Sequence, residues 1–367
     1  MSRLTPCTRS LIMIGRYTTY CFFTAMTFFG LDIGSSSLKA VEVKRDGKGK
    51  TLQLYASAPV TAGTPFITES EGDLKLLSSN IKEFVNSFPF SSNKVIVALP
   101  ESQIFTRVIT LPKISEKELG NSMQWEAQQY IPVPLADVSL DYQIIEGADA
   151  KAEKMDVLLI AAPKILVQKY LKLLKDASLD PVGIETETMA VSRSLVSDGP
   201  ATPPTMIVNI GAMTTDLSVV SKGSIRFTRS ISTGGNAMAR AISQALGFDF
   251  NQAEEYKRTY GLDQTQLEGK IMQAIKPIFD VVVDEVKRSS AFYGTHNKED
   301  KIKRVIICGG TASLPGIIVY MAASLDLEVQ MGDPWQKVYL PPKFSKKELE
   351  DISPSFAVAA GLAIKEL

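Results

Sequence analysis

Histidine is nearly absent from this sequence: His296 is the only one in 367 residues. A Ser–His or Cys–His nucleophilic centre would have to be built on it, but it reads as a surface-loop residue in the polar stretch Thr295–Asp300. Cysteine is also scarce. Cys7, Cys21 and Cys308 form no CxxC pair and no zinc-ligand spacing, and such sparse, odd-numbered use fits a reducing compartment better than a disulfide scaffold. Net charge is missing, with 40 basic against 40 acidic residues. The Lys and Arg are scattered, so no field draws the chain toward nucleic acid or an anionic membrane. Long apolar runs are missing too, since Arg16 interrupts the apolar pieces Leu11–Ile14 and Cys21–Phe23. What remains for chemistry is carboxylates, hydroxyls, backbone amides and a bound metal.

Arg3 and Arg9 before that apolar stretch resemble the start of a signal peptide. Met26, however, opens a fresh start directly before TFFGLDIG, so residues 1–25 are read as a disordered tail or an extension upstream of the true start. The remaining length allows two to three structural units with sizeable cores. Residues 27–33 read as a buried strand, Leu38–Lys44 as its hairpin partner and Thr51–Ser57 as a third antiparallel strand. Leu74–Phe88 has helical spacing and Lys94–Leu99 is a compact strand. The rhythm then changes. Ile104–Leu111 reads as a strand, Ser115–Tyr130 as a helix opened by a Ser115/Glu118 capping box, Ser139–Ile145 and Asp156–Ala162 as strands, and Lys164–Ala177 as a helix. The ATPP run at 201–204 is the best linker candidate. Beyond it, strands are expected at Met206–Ile210, Thr215–Ser221, Ser224–Ser230 and Val305–Cys308, with helices at Asn236–Leu246, within 251–293, near Pro315 and at Phe356–Lys365.

One arrangement therefore occurs twice. LDIGSSSLKAVEV at 31–43 aligns without a gap to VNIGAMTTDLSVV at 208–220. In the first copy Gly34 permits close approach of backbone to an anion, and the amides around Ser35, Ser36 and Ser37 can form an anion nest. Asp32 can hold Mg²⁺ through water, and Lys39 can reach a phosphate. A turn whose Asp and Ser merely cap one another is the alternative. The second copy offers Gly211, Thr214, Thr215 and Asp216 in matching places, with Asn209 where an acid stood. Gly309-Gly310-Thr311 ends a strand on bare backbone that suits a flat base or ribose, although an ordinary strand–helix turn reads the same. Gly234-Gly235-Asn236 opens a helix and offers a further anion or ribose contact. Gly49-Lys50-Thr51 is not a P-loop, because the glycine needed five residues earlier is Lys44.

FFGLDIGSSSLKAVEV (28–43), QWEAQQYIPVPLADVSLDYQII (124–145), IETETMAVSR (184–193) and SPSFAVAAGLAI (353–364) resemble the actin, heat-shock chaperone and sugar-kinase superfamily. Within it they are most similar to the PilM family of type IV pilus assembly proteins, over essentially all of 27–367. The resemblance implies an α/β, actin-like two-lobed fold with duplicated RNase H-like domains and an inserted small α/β subdomain. The first lobe would comprise 26–100 and 181–200, the inserted subdomain 101–180, and the second lobe 201–367. Residues 236–300 would be mostly helical, and the C-terminal helix 355–366 would pack back toward the first lobe. ATP and Mg²⁺ are the implied cofactors. Asp32, Ser35, Ser36, Ser37 and Lys39 would belong to the first phosphate motif, Gly211, Thr214 and Thr215 to the second, and Gly309, Gly310 and Thr311 to the adenosine motif. Glu187 would order Mg²⁺ or the attacking water. Glu254, Lys257 and Arg258 would touch ribose and adenine, unless they form a plain charged helix face.

The same resemblance implies a partner, the N-terminal cytoplasmic tail of a PilN-like inner-membrane protein, held beside the inserted subdomain. Trp125, Tyr130 and Tyr142 are candidates for its groove, with core positions in the subdomain as the competing reading. Other inner-membrane pilus assembly proteins are expected nearby, and self-association stays open. The sequence ends just after the last core helix, without an amphipathic tail such as the division protein FtsA carries. The expected location is thus cytoplasmic, peripheral to the inner membrane through partners and without direct insertion. Two functions compete with a nucleotide-dependent adaptor: an FtsA-like division filament, and an ATPase or kinase of the same fold. Asn209 argues for at most slow hydrolysis, because metal and water positioning dominate phosphoryl transfer.

Overall fold

Three antiparallel strands followed by two parallel ones build each of two five-stranded sheets, and the order of connection is the same in both. The structure is a computed structural model and describes residues 26–46, 49–60, 70–145, 153–197, 199, 202–298 and 300–366. Residues 1–25, read above as a tail or start-site extension, lie outside the described residues, as do Cys7, Cys21 and Ala201 of the ATPP run.

In the first lobe, β1 (Phe29–Ile33), β2 (Ser37–Asp46) and β3 (Gly49–Pro59) form the antiparallel part. After α1 (Glu71–Asn86), β4 (Lys94–Leu99) joins parallel to β1. The chain then leaves the sheet for the inserted subdomain: β5 (Phe105–Pro112), α2 (Glu116–Gln128), β6 (Val138–Ile145) and β7 (Lys154–Pro163). It returns through α3 (Lys164–Asp176), β8 (Asp180–Thr186) and α4 (Glu187–Leu195). The sheet order is β3-β2-β1-β4-β8. β1 is buried along its whole length, which is why FGLDI reads as an unbroken apolar run rather than an alternating one.

The second lobe repeats this with β9 (Thr205–Ile210), β10 (Thr215–Ser221) and β11 (Ser224–Ile231), followed by α5 (Gly235–Leu246), α6 (Phe250–Tyr260) and α7 (Lys270–His296). Then come β12 (Arg304–Cys308), α8 (Ile317–Leu325), β13 (Glu328–Met331), α9 (Lys346–Ile352) and α10 (Ala357–Ala363). Its sheet order is β11-β10-β9-β12-β13, strand for strand the order of the first lobe.

The inserted subdomain is a three-stranded sheet of order β5-β7-β6 with α2 packed on it. Both halves of the Ser115/Glu118 capping box are formed. Packing draws two boundaries differently from the sequence division at 101–180 and 201–367. Leu166, Val167, Tyr170, Leu173 and Leu174 of α3 bury into the first-lobe core, not that of the subdomain. Residues 335–364 also leave the second lobe. Trp335, Val338, Leu349 and Phe356 cover the first-lobe strands at Val41, Val43 and Leu52.

Helix α10 lies fully buried between the lobes, and its sequence AVAAGLA explains how. Side chains this small let backbones touch. A Cβ on Gly30 would stand 2.4 Å from the Ala359 carbonyl oxygen, and one on Gly361 would stand 1.9 Å from that of Ala190. Gly361→Ala should therefore force α10 off α4 and destabilise the protein by about 2 kcal/mol, the usual range for overpacking. Urea unfolding measures this, and an unchanged midpoint would refute the packing. Among the described residues no helix is long and apolar enough to cross a membrane.

Candidate functional site

The duplicated hairpins close with the same hydrogen bond. Gly34 N–H donates to the Ser37 carbonyl at 3.1 Å, and Gly211 N–H donates to that of Thr214 at 2.9 Å. The tip amides of Ser35, Ser36, Ala212 and Met213 donate to no backbone carbonyl among the described residues. Such amides are free for an anion or water. Both turns line one cleft between the lobes, with Asp32, Lys39, Glu187, Asn209, Gly309 and Gly310. The short turn before α10 lines the cleft at Pro354 and Ser355, and the first residues of α10 line it at Ala357 and Val358. A larger cavity of about 750 Å³ between α7 and the end of α8 carries aliphatic, small and lysine side chains and none of the duplicated groups, so size does not mark the site.

Strand register decides which side chains face the cleft. Asp32 pairs with Lys39 across β1–β2, and their charges lie 3.6 Å apart, with the Lys39 ammonium donating to Ser37 Oγ at 2.8 Å. Asn209 pairs with Asp216 across β9–β10 in the same place. Because successive side chains on a strand point to opposite faces, Thr214 and Asp216 enter the cleft while Thr215 turns away. Thr215 is fully buried and its hydroxyl donates to the Thr233 carbonyl at 2.7 Å. The sequence-based placing of Thr215 at the phosphates is therefore corrected, and Asp216 is the β10 side chain that lines the cleft.

Other sequence candidates brace the site instead of facing it. Gly235 N–H donates to the Gly211 carbonyl and Asn236 N–H to that of Ala212, so these helix-start amides are used in holding the second turn. Gly234 sits against the same turn, where a Cβ would meet the Ala212 backbone at 2.8 Å. Thr311 binds Ile210 through its N–H and Gly211 through its hydroxyl. Lys257 is buried, donating to the Gly235 carbonyl and pairing with Glu254 at 2.5 Å; burial lowers its pKa, with Glu254 opposing. Arg258 is 72% exposed and also pairs with Glu254. Gly309 has φ +93°, and a Cβ there would strike Ile210, whereas Gly310 faces open space. Of the aromatic candidates, Trp125 is 75% exposed on α2, while Tyr130 and Tyr142 pack against the subdomain core.

Burial dominates the electrostatics of the cleft. It raises the pKa of Asp32, an effect Lys39 only partly offsets. It raises Glu187 well above the usual carboxylate range, helped by Asp216, Asp32 and Glu101. Asp216 is pushed up to about 7, again chiefly by burial. Asp216 Oδ1 and the facing Ser230 hydroxyl do not reach hydrogen-bond geometry, and each lacks a partner among the described residues. Tyr170 on α3, fully buried, feels both Glu187 and Asp32, which with burial holds its phenol protonated. Sequence reading gave Tyr170 no role, and its helical spacing marks it only as core.

This donor set fits a hard cation. Carboxylates short of positive charge and an orphaned carboxylate oxygen suit Mg²⁺, which takes one or two carboxylates and leaves further positions for phosphate oxygens. Among the described residues no three metal-type side chains converge closely enough to hold a metal alone, which matches a cation shared with a phosphate chain.

A pH effect follows. A carboxyl whose folded pKa exceeds its unfolded value stabilises the fold at low pH and withdraws that stability as pH rises through the folded value. For Asp216, unperturbed near 4, the contribution is full below about pH 4 and lost by about pH 7. Asp216→Asn should thus lose less stability than wild type when the nucleotide-free protein is taken from about pH 5 to about pH 7.5. Thermal unfolding across that range checks it, and a larger loss in the variant would contradict the assignment.

A family profile described as type IV pilus assembly protein PilM matches residues 30–367. The chain belongs to the PilM family. A solved PilM–PilN type IV pilus biogenesis complex is 29% identical, aligned over 92% of this chain and 97% of that one, with a TM-score of 0.79. The ethanolamine utilization protein EutJ of Carboxydothermus hydrogenoformans, at 17% identity, a TM-score of 0.56 and coverage of 93% and 90%, supports the fold alone. The cell division protein FtsA of Neisseria meningitidis is 25% identical over 264 residues, 64% of this chain and 61% of that protein. The chain thus spans less than two thirds of that relative's length. Its fold is the actin-like, two-lobed one of the PilM family, with both duplicated turns lining one cleft.

Proposed function

We propose that this PilM-family chain is a nucleotide-dependent adaptor of type IV pilus assembly. It would bind ATP with Mg²⁺ between the two phosphate turns and hold the N-terminal cytoplasmic tail of a PilN-like inner-membrane protein beside the inserted subdomain. The observation that carries this reading is the pair of identically hydrogen-bonded turns, Gly34–Ser37 and Gly211–Thr214, lining one carboxylate-rich cleft. When bound, Mg²⁺ would neutralise phosphate charge. The chain's own residues supply the rest: turn amides and serines grip phosphate oxygens, Lys39 counters their charge, Asp32, Glu187 and Asp216 face the cation, and the bare backbone at Gly310 takes the nucleoside. The cleft is now only about 80 Å³, against roughly 300–1,000 Å³ for sites that enclose drug-sized ligands. Entry therefore requires the lobes to part, as hinge closure does in related two-lobed architectures.

Asn209 stands where the first copy has Asp32. An amide neither accepts a proton nor neutralises a cation, so hydrolysis is expected to be slow and the bound state long-lived. The location follows from the partner: cytoplasmic, held at the inner membrane by the pilus proteins it binds. The test is co-purification with a tagged PilN-like tail and measurement of nucleotide per chain. We expect ATP to be retained near one per chain, and tail binding to drop about tenfold once nucleotide is stripped. Rapid multiple turnover with a defined small-molecule acceptor, or tail binding indifferent to nucleotide, would overturn the adaptor reading.

A further inference from the structure

Behind the cleft lies a buried carboxylate that none of the phosphate-site roles uses. Glu101 is 5% exposed and occupies the short turn, residues 101–103, by which the chain leaves β4 for the inserted subdomain. Its carboxyl meets hydroxyls from three bodies. Thr188, the neighbour of Glu187 on α4 of the first lobe, donates to Glu101 Oε2 at 2.7 Å. Thr106 of β5 and Thr228 of β11 bring their hydroxyls near the same carboxyl from the inserted subdomain and the second lobe. Thr106 Oγ1 stops short of hydrogen-bond geometry and is buried without a partner among the described residues.

The contact continues outward as a seam between two sheet edges. β5 is the edge of the subdomain sheet and β11 the edge of the second-lobe sheet. Thr228 Oγ1 donates to the Thr106 carbonyl at 3.4 Å, and Arg226 pairs with Asp156 of β7 at 3.2 Å. Asp156 is itself held by the Thr110 hydroxyl at 2.8 Å. Among the described residues this seam joins the second lobe to the subdomain beside which the partner tail is placed. Its inner end, the Glu101 carboxyl, is held by Thr188, the chain neighbour of Glu187, which lines the cleft.

We propose that Glu101 is a positioning residue that couples occupancy of the nucleotide cleft to docking of the inserted subdomain on the second lobe. The inference rests on the nucleotide reading above and deepens it. Glu187 and Thr188 share the first turn of α4, so a shift of Glu187 toward a cleft cation carries with it the hydroxyl that holds Glu101. That shift draws the turn at residues 101–103 inward, so the junction tightens and β5 seats against β11. The lobes and the subdomain are then one two-state element, biased from the cleft and read at the subdomain.

Hydrogen exchange measured by mass spectrometry tests this on the full chain, with and without MgATP, over peptides spanning β5 and β7. Edge-strand amides exchange readily unless docked. MgATP should slow exchange in those peptides about fivefold in wild type. In Glu101→Gln, which keeps an acceptor for Thr188, calorimetry should show ATP binding near wild type while the exchange response is lost. Arg226→Asp and Asp156→Arg should each lose the response, and the double exchange should restore it. Wild type that binds ATP with no change in β5 or β7 would overturn the coupling while leaving the nucleotide reading intact. A Glu101→Gln response equal to wild type would overturn the role of Glu101, and failure of wild type to bind ATP would overturn both readings.

Discussion

Lys39→Ala, and separately Asp32→Ala, should weaken ATP binding by about tenfold to a hundredfold while the folded state survives, the range expected for losing one charge-assisted contact. Lys39 is already poised, its ammonium lying between Ser37 Oγ and the Asp32 carboxylate at the mouth of the first turn. Removing it leaves the cleft with carboxylates and no lining cation to meet a polyphosphate. Asp32→Ala acts through the metal, since its carboxylate faces the place where Mg²⁺ would share phosphate oxygens. Neither change should unfold the chain. Burial raises the pKa of Asp32, so its charged form opposes the nucleotide-free fold rather than supporting it. Calorimetric titration with ATP and Mg²⁺ is the measurement, and equal affinities in both variants and wild type would contradict the phosphate assignment.

Glu185→Ala should destabilise the protein by about 3–5 kcal/mol, the cost of leaving buried charges uncompensated. Glu185 is fully buried on β8 and accepts from both Arg193 nitrogens at 2.6 and 2.8 Å and from Lys365 at 2.5 Å. Arg193 also donates to the Gly361 carbonyl, and Arg45 donates to those of Ala363 and Lys365. The triad therefore fastens the end of α10 to the first lobe. Burial alone would raise the Glu185 pKa, but Arg193 and Lys365 override it and hold the carboxyl below its usual range. A depressed pKa stabilises the fold above the unfolded value near 4.5 and loses that effect as pH falls through the folded value. The cleft carboxylates behave oppositely, because their burial is not matched by cations. Replacing Glu185, Arg193 and Lys365 together by Met should recover most of the loss, since a buried ion pair is often no better than apolar packing. Urea unfolding of the single and triple variants decides it, and a single variant as stable as wild type would refute the clasp.

The contrast between these two sites shows what the sequence could and could not convey. The duplicated hairpins were legible because a four-residue turn between apolar strands carries its own signature, and the gapless match of 31–43 to 208–220 survives as identical sheet order and identical turn hydrogen bonds. Thr215 was misassigned although the needed rule was present: alternation along β10 puts Asp216, not its neighbour, beside Asn209. Gly234, Gly235 and Asn236 looked like an anion site because a helix start has free amides in isolation. Only tertiary contact with the second turn consumes the Gly235 and Asn236 amides. Strands β8 and β13, short and led by polar residues, were missed because each becomes a strand by pairing with a neighbour distant in sequence. Glu101 was invisible for the same reason, as the hydroxyls around it come from residues 106, 188 and 228.

The central claim is that two sequence-related turns share one polyphosphate. Solving this protein with ATP and Mg²⁺ tests it most directly. The account predicts a phosphate chain contacted from one side by the amides of Ser35 and Ser36 and from the other by those of Ala212 and Met213, with the cation among Asp32, Glu187 and Asp216. Nucleotide bound elsewhere, or a cleft left without it at saturating ATP, would contradict it.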